Sequence, residues 1–266
     1  MATTTLGNKS TGSIIKLKEN GTLVDFYVAK HDYESGLNGA GRTLVVRKDT
    51  YDDRVWDNGN VNAYASSDLD SWFNSTYKNM LDADIRSLIG TTKIRYTPGN
   101  GNNTVGTLER AVFALSLTEL GQSHTYANTE GSALPIASTL RIAYRNGSPT
   151  TQWTRSPNTN GTSYAWRLNS NGNINNNNCN NSNGSRPALM VRSDRVGPKP
   201  KAAPSITSKE VTSSLDTKAN TLRRCTPPHT EAAGCCWSCP CGTYTAHKER
   251  GARRRDDRGP PACLQA

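Results

Sequence analysis

Residues 153–157 read W-T-R-S-P and residues 163–168 read S-Y-A-W-R-L. A run from Asn171 to Ser182 is almost all asparagine, and residues 185–191 read S-R-P-A-L-M-V. The two apolar pieces, 163–168 and 187–191, have the composition of β-strands. The asparagine text between them has almost nothing to bury. A segment of that kind is a surface loop held on a scaffold, and loops of this sort carry recognition more often than packing. Binding rather than catalysis is therefore the first expectation.

Upstream, the same pattern of short strands recurs. Residues 13–18 and 22–30 alternate apolar and polar positions around E-N-G, which predicts a hairpin. Residues 43–47 (T-L-V-V-R) predict a third strand. Ser66 or Ser67 caps a predicted helix carrying Leu69, Trp72 and Phe73 on one face. Asp82 caps another, with Ile85, Leu88 and Ile89 inward and Gly90 as its stop. Alternation returns at 92–96, P-G-N-G-N-N then marks an exposed loop, and 111–117 (A-V-F-A-L-S-L) predicts a buried central strand. Residues 118–121 (T-E-L-G) predict one helical turn, and Asn171-Gly172-Asn173 a tight one. Many short strands, two small helices and long loops amount to an α+β fold.

Composition limits the class of protein. The chain has 266 residues and a net charge of +10. Residues 1–200 carry 21 Lys+Arg against 16 Asp+Glu, and residues 201–266 carry 11 against 6, so each part contributes +5. The larger part is only mildly basic for its length. Its aromatic residues, Trp56, Trp72, Trp153 and Trp166 among them, supply bulky core material for about 190 residues. It has one cysteine, Cys179, so its fold does not depend on disulfides. The first ten residues lack a basic and then apolar leader, so synthesis in the cytoplasm without a signal peptide is expected. No apolar run reaches the roughly 18 residues of a membrane span, and membrane insertion is not expected.

The text changes near residue 195. Residues 1–195 read as one domain and 196–220 as a linker rich in Pro, Lys and Ala. Residues 221–266 read as a disordered, basic, Cys-rich tail without a single Asn. Its Arg, Pro, Ala and Gly share GC-rich codons, which suggests a shifted reading frame; the other two frames of the gene test this. The tail's C-W-S-C offers one pair of thiols but no matching second half of a zinc site. Arg253-Arg254-Arg255 is followed at once by Asp256 and Asp257 with no aromatic between, so nucleic acid is not an expected partner.

No constellation for catalysis emerges. His31 and His124 lack a metal-binding or nucleophile context. Ser116, His124 and Asp194 form a triad only on paper. Asp49, Asp52, Asp53 and Asp57 surround Trp56 but lack a calcium-loop pattern, and Arg54 intrudes, so a solvated turn with a salt bridge is expected. Asp68 and Asp70 suit the first turn of a helix. No cofactor, metal or catalytic residue is expected. Arg155 and Arg186 are expected to bond loop carbonyls and Trp153 to be core. The expected ligand-binding residues are Tyr164, Trp166, Asn171, Asn173, Asn175, Asn176, Asn177, Asn178, Asn180 and Asn181. Aromatic faces stack on sugar rings, and an asparagine amide satisfies a hydroxyl as donor and acceptor.

Several blocks occur together in order: the opening M-A-T-T-T-L-G-N-K-S-T-G-S-I-I-K-L, V-W followed by S-S-D-L-D-S-W-F-N-S-T-Y, F-x-L-S-x-T-E-L at Phe113, W-x-R-S-P, and the Asn-rich text closed by R-P-A-L. Over residues 1–195 this resembles an uncharacterised family, a domain of unknown function of gut Firmicutes and their phages. The resemblance implies a C-type-lectin-like fold, in the branch shared with formylglycine-generating enzymes and diversified phage receptor-binding proteins. Gly184-Ser185-Arg186-Pro187 stands where that branch has its closing G-x-R-P. It implies a phage or prophage tail protein, located in the virion, that touches a host surface glycan or protein and other tail proteins. The alternative within the resemblance is an enzyme of the formylglycine-generating type. That chemistry needs paired thiols, and residues 1–195 supply only Cys179, an incidental thiol on this reading. Twelve asparagines lie from Asn158 to Asn183. They suit adenine-targeted diversification by a retroelement, but the favoured reading is the general aptness of Asn for tight turns.

Overall fold

Alternation of apolar residues drives the first hairpin. In the computed structural model, which describes residues 5–194, strands β1 (Ile14–Glu19) and β2 (Thr22–His31) pair antiparallel from Ile14↔Tyr27 to Glu19↔Thr22. The turn between them is Asn20-Gly21, with φ of 50° and 76°. Two positive φ values match the right-handed strand twist, which favours Asn-Gly here. Leu17, Phe26 and Val28 face inward and are buried. Each large side chain so buried contributes about 1.5–3 kcal/mol. The turn is also tied to its surroundings: Asn20 N donates to Met80 O, and Gly21 N to Asp82 Oδ1. Asp82 precedes the helix Ala83–Arg86 as expected, but its side chain makes no cap bond there and holds the hairpin turn instead.

Twelve further strands follow. They are β3 (Arg42–Arg47), β4 (Asp53–Val55), β5 (Thr92–Tyr96), β6 (Gly106–Arg110), β7 (Val112–Phe113) and β8 (Ala143–Arg145). Then come β9 (Ser148–Thr150), β10 (Gln152–Pro157), β11 (Tyr164–Leu168), β12 (Ile174–Asn178), β13 (Ser182–Gly184) and β14 (Ala188–Arg192). The main sheet has the order β1-β2-β3-β14-β7, with every pair antiparallel. The last strand thus lies inside the sheet, between two earlier ones. A second sheet has the order β10-β11-β12, and three two-stranded pairs, β4–β13, β5–β6 and β8–β9, complete an α+β architecture of small antiparallel sheets.

The helical part packs beside the main sheet. Ser67 Oγ accepts from Asp70 N at 3.2 Å and starts the helix Asp68–Trp72, as the sequence predicts. A π-helical segment, Phe73–Tyr77, follows and leads into Lys78–Met80. Asn74 lies in it, and its amide accepts from Ala111 N and Val112 N while donating to Val112 O, which clips this helix to β7. Asp70 is buried rather than exposed at the helix start, and pairs with Arg110 (Nε–Oδ2 2.6 Å).

Two expectations need correction. Residues 111–117 are not a central strand: only Val112–Phe113 pair, with β14, at the sheet edge. Residues 112–117 are nevertheless fully buried, because side chains from elsewhere replace the ladder. Ala114 N donates to Tyr64 Oη, Ser116 N to Glu119 Oε2 and Leu117 N to Ser156 Oγ. An apolar run reports burial, not strand pairing. Second, the asparagine text is not a free loop. Asn175–Asn178 pair with β11 in full register, from Leu168↔Ile174 to Tyr164↔Asn178. The expected linker at 196–220 and tail at 221–266, with its C-W-S-C, lie outside the described residues.

Candidate functional site

The W-T-R-S-P stretch builds a platform under the asparagines. All six residues of β10 are buried. Trp153 Nε1 donates to Arg54 O at 2.8 Å, and Thr154 Oγ1 to Trp166 O at 2.7 Å. Arg155 is wholly buried, and its fork meets the Glu119 carboxylate at 2.6 and 2.8 Å. It also donates to the carbonyls of Arg95 and Ala114, each at 2.9 Å. Burial is the largest influence and opposes its charge, but the groups around it, Glu119 foremost with Tyr33 and Glu130, together outweigh that and hold the guanidinium above its ordinary pKa. Glu119 further accepts from Tyr33 Oη and Ser116 N, so four donors converge on it. Beside it, Glu130 is also buried and accepts from Thr97 N at 2.6 Å and from Ser156 Oγ. Burial raises its pKa. The expectation of carbonyl bonds for Arg155 holds, but its carboxylate partner was not legible in the spacing.

Arg186 clamps the other side of the platform without any acid. Its guanidinium donates to Arg47 O (2.8 Å), Lys48 O (2.7 Å), Leu140 O (2.8 Å) and Gln152 Oε1 (3.2 Å). Burial lowers its pKa to about 10, so it stays charged at neutral pH. The R-P of the closing motif is thus a structural staple, as expected.

On this platform β12 is the outer strand of its sheet. Asn171, Asn173, Asn175, Asn180 and Asn181 are exposed, and Asn176, Asn177 and Asn178 are half-buried. The turn closes through Asn169 N to Asn173 O and Gly172 N to Asn169 O. Several amides bond one another: Asn173 N donates to Asn171 Oδ1, and Asn177 Oδ1 accepts from Asn178 N and from Asn181 Nδ2. Cross-strand register assigns the faces. Asn176 and Asn178 lie opposite Trp166 and Tyr164, while Asn175 and Asn177 lie opposite Arg167 and Ala165.

Of the two aromatic residues expected to bind, Tyr164 is 39% exposed and Trp166 only 4%. Trp166 is corrected to a core residue. Its Nε1 donates to Tyr126 O, and the His124 ring packs on it with centroids 4.4 Å apart. The accessible rings on this side are His124 and Tyr126, which the sequence reading did not propose. Their signal is only the short polar stretch around them. Asn62 was also missed. Wholly buried, its Nδ2 lies within bonding distance of the Asn158, Gly161 and Tyr164 carbonyls, which holds the entry to β11.

The remaining polar candidates have structural tasks. His31 bonds Thr43 Oγ1 and Lys9 O. Ser116 Oγ donates to Glu130 O, so the paper triad has no free hydroxyl. Asp52 pairs with Arg54 and Asp53 with Arg145, and the Arg54 guanidinium lies 3.7 Å from the Trp72 ring centre. No three His, Cys, Asp or Glu side chains gather as a metal site among the described residues. Among those residues no helix is long and apolar enough to cross a membrane. Cys179 is buried, and its carbonyl accepts from Trp56 N and Asp57 N. Burial, aided by Asp57, pushes its thiol up to about 12, so almost no thiolate forms at neutral pH.

Asp70 makes a pH prediction. Burial raises its carboxyl to about 6 against an ordinary 3.8, despite the Arg110 partner. The folded form therefore holds the proton more tightly than the unfolded form. Its contribution to stability is full below about pH 4 and lost as pH rises through about 6. That contribution amounts to about 3 kcal/mol. Urea unfolding of the wild type and of Asp70→Asn at pH 4, 5, 6 and 7 isolates it. The gap between the two curves should change by that order across the window, and parallel curves would reject the assignment.

Residues 40–193 match a family described as Domain of unknown function (DUF6273). The chain belongs to the DUF6273 family. Neither the curated proteins nor the solved structures give a match. The DUF6273 match takes in the platform, the asparagine strand and the closing Gly184-Ser185-Arg186-Pro187. It begins just before β3, yet β2 pairs with β3 from Phe26↔Arg47 to His31↔Thr43. The β1–β2 hairpin is thus part of the same folded body, and the physical domain is larger than the matched segment.

Proposed function

We propose that this domain is a non-enzymatic recognition module whose asparagine-bearing strand binds a host surface glycan or protein. One observation carries the reading. A row of amides stands on the outer strand of a small sheet, and its single partner, β11, pairs with β10, whose buried polar side chains are hydrogen-bonded. Ligand contacts need groups held in place beforehand, because ordering flexible side chains costs affinity. Amides that donate and accept suit sugar hydroxyls and peptide groups alike. Tyr164 adds a ring face opposite Asn178, and the His124 ring, itself against Tyr126, packs on Trp166, which lies opposite Asn176.

The phage or prophage tail setting, the virion location and the C-type-lectin-like fold belong to this proposal through the sequence resemblance alone. Against the formylglycine-type alternative stands Cys179: a buried thiol with its pKa near 12 is a poor nucleophile.

The test is a glycan array and a host-cell binding assay with the full chain. Comparison is with a variant carrying Asn175→Ala, Asn176→Ala and Asn178→Ala. These side chains are exposed or half-buried, so the variant should melt within a few degrees of wild type while losing about tenfold or more in affinity. Undiminished binding by the folded variant would sink the reading.

A further inference from the structure

Unmet donors lie on β11 and the neighbouring β13, on the sheet face away from Tyr164. Arg167 lies opposite Asn175 on one side and Trp153 on the other. Among the described residues its guanidinium makes one hydrogen bond, from Nη1 to Asn183 Oδ1 at 3.0 Å. None of the ion pairs among those residues includes it, and burial without a compensating acid lowers its pKa. Its Nε is shielded from solvent and has no acceptor. Asn183 is 3% exposed, and its Nδ2 is likewise buried without a partner. Flipping the Asn183 amide would not help, because the nitrogen would then face the Arg167 donor. The acids of the neighbouring β4 segment are already engaged, Asp52 by Arg54 and Ser185, and Asp53 by Arg145.

Two buried donors and a guanidinium without a counter-ion call for an oxygen acceptor with negative charge. The desolvation of Nε and Nδ2 has already occurred in the free protein. A ligand oxygen that reaches them would satisfy donors that no other described group of the protein meets. Asn175, exposed beside Arg167, adds an amide suited to hydroxyls. A carboxylate next to ring hydroxyls would satisfy both kinds of group at once; an acidic peptide, whose backbone could also meet Asn175, is the competing outcome that the titration below separates.

We propose that Arg167, Asn183 and Asn175 form a subsite for the carboxylate of an acidic sugar, a uronic acid, within the ligand of the asparagine face. This rests on the recognition reading above and gives it a ligand class. Arg167 is half-buried, so entry to its Nε edge takes a rotamer change of that side chain.

The side-chain Nε–Hε resonance of Arg167 and the Asn183 amide resonances in the labelled full chain report on the niche directly. Glucuronate should shift them saturably. Glucose, which lacks the carboxylate, should bind at least tenfold more weakly. Arg167→Gln should weaken glucuronate binding about tenfold to a hundredfold, as expected for loss of a charge-assisted bond, and Arg167→Lys should recover part of it. Melting curves identify any variant that has merely unfolded, and the wild-type titration stands without them. No response to glucuronate means that water alone fills the niche and overturns the subsite. N-acetylglutamate amide binding as tightly as glucuronate overturns it in favour of an acidic peptide. Neutral glycans bound on the array with a silent Arg167 fail the subsite only. A saturable glucuronate response with no wider glycan or cell binding fails the recognition reading only.

Discussion

Glu119→Gln is expected to lower the stability of the domain by about 3–5 kcal/mol, the loss typical of removing one partner from a buried ion pair. The carboxylate accepts from Tyr33 Oη, Ser116 N and both Arg155 terminal nitrogens. Glutamine keeps the shape but turns one acceptor oxygen into a donor, which then faces donors. It also leaves the Arg155 charge in a site with no solvent, supported by two carbonyls and the nearby Glu130. A domain of this size has about 5–15 kcal/mol in total, so the variant should sit near the edge of folding. Urea denaturation at neutral pH measures it. Replacing Glu119 and Arg155 together by Leu and Met should recover much of the loss, since a well-packed apolar pair avoids desolvating either charge. A single-variant loss under about 1 kcal/mol would show that the pair is dispensable.

That network also marks where sequence reasoning stops. The first hairpin, β3, the Ser67 cap and the turn at Asn171-Gly172-Asn173 follow from local patterns, because alternation and turn chemistry act over a few residues. Glu119 and Glu130 give no such signal. Charged residues belong outside unless paired, and the partner of Glu119 lies 36 residues away. The asparagine strand was hidden for another reason. Asparagine is depleted in strands, yet 175–178 pair because β11 has a hydrogen-bonding edge to fill and these side chains can stay wet. For the candidate site, the sequence located β11 but not what covers it. Alternation puts Tyr164 and Trp166 on one face. Only the fold shows that His124 and Tyr126 close over Trp166 and leave Tyr164 out. The Arg167 niche needs β11 and β13 brought together, which no local pattern encodes.

Gly184→Ala should be the most damaging small change in the closing motif. A methyl group there would lie 2.3 Å from Thr151 O and 2.7 Å from Thr50 Cγ2, closer than real Cβ atoms come. Thr151 O is main chain between β9 and β10 and cannot swing aside as a side-chain tip would. Relief requires β13 to move. Movement would disturb the Gly184↔Asp53 pairing and the bonds from Ser185 N to Asp52 O and from Tyr51 N to Ser185 O. It would also draw Arg186 off its four acceptors, leaving buried donors unmet. Overpacking of a close-packed site typically costs about 1–3 kcal/mol, and the coupled loss at Arg186 should carry this variant past 3. Gly36→Ala is the control. Its added Cβ meets nothing within 4 Å in the short helix Ser35–Asn38, so it should be neutral or slightly stabilising. Because Asn183 precedes Gly184, the same variant, where it remains folded, should also displace the acceptor of Arg167. Loss of the Arg167 response to glucuronate alongside lost stability would tie the closing motif to the proposed subsite. Wild-type stability in Gly184→Ala would mean that β13 yields freely and that the glycine is not required by close approach.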